Sequence, residues 1–74
     1  MSDSLLISLV GGRFDDHSVY DPKITMHEED RIAIVDGDQV EYYVINCHGQ
    51  GVPTNVRSKV YGDTWTIYPE DLRK

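Results

Sequence analysis

Residues 31–45, Arg-Ile-Ala-Ile-Val-Asp-Gly-Asp-Gln-Val-Glu-Tyr-Tyr-Val-Ile, contain two runs of β-prone residues around a short turn. The runs 31–35 and 39–45 are rich in β-branched and aromatic side chains, which favour extended backbone. Between them, Asp36-Gly37-Asp38 supplies a glycine that can adopt positive φ in a tight turn. This stretch therefore predicts a β-hairpin.

Further short β-prone segments lie on both sides of this hairpin. Towards the amino terminus they cover residues 5–10, 17–20 and 24–26, and Gly11-Gly12 and Asp21-Pro22 separate them as turns. Towards the carboxyl terminus, residues 59–61 and 64–68 flank Gly62-Asp63 and predict a second hairpin. Residues 48–58 contain glycines and a proline and predict an exposed loop. Residues 69–74 begin with proline and predict one short helical turn.

These elements predict a mainly β fold in one domain, residues 1–74. No segment shows apolar residues at helical spacing over ten positions, so a long helix is not expected. Five or six short strands favour a small barrel or meander. We prefer an SH3-like barrel, because it closes a sheet with few residues and commonly has a one-turn helix near its end. The likeness is architectural and carries no function with it.

Size and composition argue against several functional classes. A chain of 74 residues buries roughly 60% of its unfolded surface, so a deep catalytic cavity is not expected. The formal net charge of −6 disfavours direct binding of nucleic acid. The single cysteine cannot form an internal disulfide, which favours a reducing compartment. Residues 5–10 are the longest apolar stretch and are too short to span a membrane. We therefore expect a cytoplasmic protein.

The acidic residues are concentrated in one part of the sequence. Residues 14–41 hold nine acidic and two basic residues, mostly in predicted turns. Turns at one end of a small sheet can lie close together, which would form an acidic surface for a basic partner. The candidate binding residues are Glu28, Glu29, Asp30, Asp36, Asp38 and Glu41. The alternatives are that these acids only aid solubility, or that Asp36-Gly37-Asp38 binds calcium, although the segment lacks the other ligands of a calcium loop.

The aromatic residues predict a buried face. Alternate positions in the two hairpins place Tyr42, Val44, Trp65 and Ile67 on one side of the sheet. Tyr43 and Tyr68 have the opposite parity, so they are exposed unless the barrel buries both sides. If Tyr43 is exposed, it is a candidate anchor for the partner, because tyrosine gives a large contact area at low entropic cost.

No set of residues makes a satisfactory catalytic or metal site. Cys47 and His48 are neighbours, but side chains of neighbouring residues in a strand point to opposite faces. The spacing of Cys47 and the histidines His17, His27 and His48 matches none of the common zinc patterns. Gly11-Gly12 lacks the further residues of a phosphate-binding loop. We predict no catalytic residue, no metal and no cofactor.

The segment Leu9-Val-Gly-Gly-Arg-Phe-Asp-Asp-His-Ser-Val19 resembles the opening of many small bacteriophage proteins, in which a strand is followed by Gly-Gly-x-x-Asp. In those proteins glycine is usual at the position of Asp16. The resemblance implies a phage or prophage origin. It also implies the roles of small acidic phage proteins: inhibitors of host enzymes or defence complexes, including anti-CRISPR proteins, and minor virion components.

These observations lead to two hypotheses. The first is a non-enzymatic binding protein that occupies a basic surface of a host protein, such as a nucleic-acid-binding or defence complex, in the host cytoplasm. Its carboxylates would then stand where phosphates bind. The second is a virion or assembly component that acts by self-association as a homo-oligomer.

Overall fold

The computed structural model describes residues 6–20, 27–55, 57 and 62–73. Those residues form seven short strands and one 3₁₀ turn. In chain order these are β1 (Leu6–Ser8), β2 (Ser18–Tyr20), β3 (Arg31–Asp36), β4 (Gln39–Ile45), β5 (Gly51–Thr54), β6 (Thr64–Ile67), the 3₁₀ turn (Pro69–Asp71) and β7 (Leu72–Arg73). The prediction of a mainly β fold is confirmed.

The strands are arranged in two small sheets. One has four strands in the order β5-β4-β3-β6, and the other has three in the order β1-β2-β7. The predicted hairpin is confirmed, because β3 and β4 pair in antiparallel fashion from Arg31–Val44 to Asp36–Gln39. Strand β6 runs parallel to β3 and places Ile67 beside Ile34.

The two sheets meet at one side. Leu9, just after β1, forms a bridge with Gly51 of β5, and the amide of Val10 donates to the carbonyl of Gly51 over 2.8 Å. On the other side the chain passes from β6 through the 3₁₀ turn to β7, and no ladder pairs β6 with β7 among the described residues. The strands therefore form two sheets joined at one edge rather than a closed barrel.

The core lies between the two sheets. Ile32 and Ile34 of β3 alternate with residues that face the other way, so both point towards the three-stranded sheet. The other buried members are Ile7, Leu9, Phe14, Val19, Tyr43, Ile45 and Ile67, and Leu72 packs against them. The core draws on both sheets and on the loop after β1, which fixes that loop against the four-stranded sheet.

The prediction that Tyr42 and Val44 of β4 face the core is wrong. Tyr43 and Ile45 point into the core, whereas Tyr42 and Val44 lie half-buried on the outer face. All four residues are apolar or aromatic, so alternation of polarity could not choose between the two faces. The expectation holds for Ile67 of β6, which is buried. Tyr68 is exposed, as its parity indicated.

The predicted loop at residues 48–58 contains a strand. β5 pairs with β4 from Tyr42–Thr54 to Ile45–Gly51. It is an edge strand of its sheet, where a proline such as Pro53 is tolerated because no ladder hydrogen bond is lost on the open side. The predicted strands at 24–26 and 59–61, and with the latter the second hairpin, lie outside the described residues.

Candidate functional site: the acidic end

A buried hydroxyl group of β4 holds the backbone of the loop between β1 and β2. The Tyr43 side chain is fully buried, and its hydroxyl donates to the carbonyl of Gly11 and accepts from the amide of Phe14, both over 2.9 Å. A Cβ at Gly12 would lie 2.8 Å from that hydroxyl, so the close approach requires glycine. Tyr43 is therefore not an exposed anchor, and the expectation that a partner could contact it is wrong.

Hydrogen bonds within the loop fix its shape. The amide of Gly11 donates to Asp15 Oδ1 over 2.7 Å, and the amide of Asp16 donates to the carbonyl of Leu9 over 3.2 Å. Asp16 has a φ of 69°, a left-handed conformation that aspartate tolerates better than most residues. The loop thus holds two exposed carboxylates on a constrained backbone.

Arg13 connects this loop to the turn between β3 and β4. Its guanidinium forms an ion pair with the carboxylate of Asp36 and donates to the side-chain oxygen of Gln39 over 3.0 Å. Asp38 is exposed in the same turn, and Glu41 of β4 is half-buried nearby. The two segments therefore lie together at the end of the four-stranded sheet where β3 ends.

The 3₁₀ turn adds two more carboxylates at this end. Because β6 is parallel to β3, with Ile67 beside Ile34, the residues after β6 lie level with the end of β3, and the turn contacts that strand. Glu70 and Asp71 are exposed there, and Asp71 Oδ2 accepts from the amide of Tyr68 over 3.1 Å. Local sequence patterns do not indicate these two residues, because only the parallel pairing of β3 with β6 places them here.

We call this region the acidic end. It consists of Asp15, Asp16, Asp36, Asp38, Glu41, Glu70 and Asp71. The segments that carry these residues, 11–17, 36–41 and 68–71, also contain Arg13, so seven carboxylates and one guanidinium give a formal charge of −6. The whole chain also has a formal charge of −6. These three segments therefore carry an excess of acidic over basic residues equal to that of the whole chain.

The structure brings together only part of the predicted acidic set. Asp36, Asp38 and Glu41 belong to the acidic end, whereas Glu28 and Glu29 are exposed before the start of β3. Strand β3 has six residues, and an extended chain rises about 3.3 Å per residue, so the two groups lie about 20 Å apart along the strand. The expectation that all these acids form one surface is wrong.

Asp30 is buried and has a structural role. It is 4% exposed, and its two carboxylate oxygens accept from the amides of His27 and Asp63, each over 2.9 Å. A Cβ at Gly62 would overlap Asp30 Oδ1 and lie 2.8 Å from the Asp30 amide nitrogen. The carboxylate thus holds the loops that precede β3 and β6, and it is not available on the surface for a partner.

The surroundings of Tyr43 change its ionisation. Burial raises the pKa of its hydroxyl above the ordinary value of 10.0, and the negative charges of Glu41 and Asp15 raise that pKa further. The hydrogen bond from the Phe14 amide acts in the opposite direction and lowers the pKa. The hydroxyl is therefore protonated at neutral pH and can act as both donor and acceptor.

The cysteine and histidine residues lie apart from one another. Cys47 and His48 are exposed in the turn between β4 and β5, where Asn46 Oδ1 accepts from the amides of His48 and Gln50. His17 Nδ1 lies 3.1 Å from the carbonyl oxygen of Asp15, and His27 approaches Asp30 at the opposite end. Within the described residues, no three potential metal ligands form a group.

In the part of the chain that the structure describes, no helix has the length and apolar character needed to cross a membrane.

Comparisons with known proteins give no family assignment. The sequence matches no protein-family model, and no curated protein and no solved structure is significantly similar to it.

Proposed function

We propose that the chain is a non-enzymatic binding protein that docks its acidic end on a basic surface of another protein. The observation that carries the proposal is the grouping of seven carboxylates with one guanidinium in three neighbouring segments, 11–17, 36–41 and 68–71. A field of one sign over a compact surface accelerates association with an oppositely charged partner and orients it.

The construction of the acidic end also supports this proposal. The Tyr43 hydroxyl holds segment 11–17, the Arg13–Asp36 ion pair joins that segment to segment 36–41, and the Asp71–Tyr68 hydrogen bond fixes the shape of the 3₁₀ turn. A surface that is ordered before binding loses less conformational entropy when a complex forms. Its carboxylates are therefore displayed in a defined arrangement.

The basic surfaces that such an arrangement fits include those that bind phosphate groups. We accordingly propose, as the specific form of this function, a phage-encoded inhibitor that acts in the host cytoplasm. It would cover the basic surface of a nucleic-acid-binding or defence complex, in the manner of an anti-CRISPR protein. Occupation of such a surface by carboxylates would exclude nucleic acid by direct competition.

We also retain the SH3-like barrel as a proposal for the finer architecture. The bridge between Leu9 and Gly51, and the 3₁₀ turn before the last strand, support it. Hydrogen-bond couplings between β6 and β7, measured by NMR, would establish closure of the barrel.

The test of the proposed function compares two charge variants with the same change in net charge. The acidic-end variant combines Asp16→Asn with Asp38→Lys, and the control combines Glu29→Gln with Glu28→Lys at the opposite end. All four residues are exposed, and Asp16 and Glu29 both have positive φ, so the backbone demands are matched.

Proteins captured from host lysate at low and high salt would be identified, and their association rates with each variant measured by stopped-flow fluorescence. We expect the native rate to fall as salt increases. We expect the acidic-end variant to associate about tenfold more slowly than the control. Equal rates for the two variants would contradict the proposal.

Self-association as an assembly component is the second candidate, and the outer face of the four-stranded sheet favours it. Val35 pairs with Val40 and Val44 with Val52 on the face opposite the core, and each of these side chains is at least partly exposed. Sedimentation velocity over a hundredfold range of concentration separates the candidates. A closed oligomer favours assembly, and a monomer at all concentrations favours the binding protein.

A further inference from the structure

An open cleft lies where the two sheets are not paired. It has a volume of about 580 Å³ and is bounded by β2, β6, the 3₁₀ turn and β7. The apolar part of its lining includes Val19, Ile67 and Leu72, which belong to the core or pack against it. The cleft therefore lies at the edge of the core, where Leu72 is the most exposed of the three.

The polar lining of the cleft carries charges of both signs. Glu70 and Asp71 of the 3₁₀ turn line it, and within the described residues neither carboxylate takes part in an ion pair. Arg73 of β7 also lines the cleft, and its guanidinium lies 4.7 Å from the centre of the ring of Tyr20, which is 47% exposed. A cation is therefore attracted to the 3₁₀ turn, and a hydrogen-bond acceptor to Arg73.

We propose that this cleft binds a short extended segment of the partner protein in which a lysine or arginine stands next to apolar residues. The apolar part of the lining fits aliphatic side chains and the methylene groups of the basic residue, whose charged head would reach Glu70 and Asp71. Arg73 repels a cation and would instead donate to a backbone carbonyl of the segment. The two signs of charge in the lining thus favour one direction of the segment over the reverse direction.

The size of the cleft agrees with this occupant. Ligand sites commonly have volumes of about 300–1,000 Å³, and the volume of this cleft lies within that range. The cleft can therefore hold more of a peptide than a single side chain. The inference rests on the proposed function, because Glu70 and Asp71 belong both to the cleft and to the acidic end. It adds the chemistry of the segment that the partner would contribute.

The test uses three synthetic eight-residue peptides with the full chain. In the first, leucine and lysine alternate; in the second, glutamate replaces lysine; in the third, serine replaces leucine. Binding is followed by fluorescence anisotropy and by amide chemical shifts. We expect the leucine–lysine peptide to shift the amides of Tyr20, Ile67 and Leu72, and each control peptide to bind at least about tenfold more weakly.

Two variants then localise the binding. Glu70→Lys reverses an exposed charge of the cleft and should weaken binding of the leucine–lysine peptide about fivefold, within the range for exposed ion pairs. Glu28→Lys makes the same change at the far end and should leave binding close to native. Shifts outside the cleft, equal binding of the glutamate peptide, or equal effects of the two variants would overturn the inference.

The outcomes separate this inference from the proposed function. If Glu70→Lys spares the peptide while the Asp16 and Asp38 changes slow association with the captured partner, the cleft inference fails and the acidic end stands. If the peptide binds in the cleft but the acidic-end changes leave the rate of association with the captured partner unchanged, the proposed function fails.

Discussion

The buried hydroxyl of Tyr43 holds the loop at residues 11–17 against the core. We predict that Tyr43→Phe lowers the free energy of unfolding by about 1–3 kcal/mol, because the Gly11 carbonyl and the Phe14 amide lose their partner. Urea denaturation followed by circular dichroism at pH 7 measures the change. Tyr68→Phe is the matched control, since Tyr68 is exposed and the same atom is removed. Equal stability of the two variants would contradict this role.

The raised pKa of Tyr43 also predicts a dependence of stability on pH. The folded state holds the phenolic proton more tightly than the unfolded chain, in which the pKa is near 10.0. The contribution of Tyr43 is thus fully present below about pH 10 and is lost as pH rises towards the higher pKa of the folded state. Denaturation between pH 8 and pH 11 should show a smaller loss of stability for Tyr43→Phe than for Tyr68→Phe. If stability fell equally with pH in the two variants, the Tyr43 hydroxyl would ionise as easily in the folded state as in the unfolded chain.

Asp30 provides a second prediction at the scale of one residue. In Asp30→Asn, one carboxylate oxygen is replaced by the NH2 of a side-chain amide, which donates and cannot accept from the backbone amide of His27 or Asp63. We expect a loss of about 1–3 kcal/mol in the free energy of unfolding. Glu29→Gln, an exposed neighbour with the same chemical change, should have little effect in the same denaturation experiment. A similar small effect for both variants would show that the Asp30 carboxylate does not hold the two loops.

The roles of Tyr43 and Asp30 could not be predicted from the sequence. Both belong to residue types that also occur on surfaces, and Asp30 stands beside two exposed glutamates. Their burial depends on which loops fold against them, and the partners of Tyr43 lie about thirty positions away in the chain. Local patterns carry no information about such contacts.

At the scale of elements, position within the sheet predicts local stability. Strands β3 and β4 each have neighbours on both sides, whereas β5 and β7 lie at sheet edges. Backbone amides in central strands open only with large unfolding events, and those at edges open through smaller local ones. Amide hydrogen exchange followed by NMR should therefore show the slowest exchange in β3 and β4. If the amides of β7 exchanged as slowly as those of β3, a second strand would have to pair with β7.

The elements that the sequence predicted are those that local chemistry specifies. The β3–β4 hairpin follows from a turn triplet between two β-prone runs, and Gly37 has the positive φ that this turn needs. Strand β5 cannot be predicted in this way, because glycine and proline normally mark loops and only the pairing with β4 makes the segment a strand. The parallel pairing of β6 with β3 joins residues more than thirty positions apart, which no turn signal indicates.

At the scale of the whole molecule, the acidic end is assembled from three separate segments. The sequence indicated an excess of acids in one continuous stretch, but the length of β3 divides that stretch between opposite ends of the sheet. The parallel strand β6 then adds Glu70 and Asp71 from the carboxyl-terminal region. The contribution of the β3–β4 turn was predictable, because that hairpin was predictable. The other contributions depend on long-range pairing.

Crowding of carboxylates at one end also predicts how salt affects stability. Like charges close together repel one another in the folded state, and added salt screens that repulsion. We expect the melting temperature of the native chain to rise by a few degrees between low and high sodium chloride. The increase should be smaller for Asp38→Asn combined with Glu70→Gln, which neutralises two exposed charges of the acidic end.

Glu28→Gln combined with Glu29→Gln is the matched control for that experiment. It removes the same charge at the opposite end, where Arg31 begins the adjacent strand β3. Its melting temperature should therefore depend on salt almost as strongly as that of the native chain, as measured by differential scanning calorimetry. If both double variants lose the salt dependence equally, the repulsion comes from the total charge of the molecule, and its concentration at one end has no effect on folding.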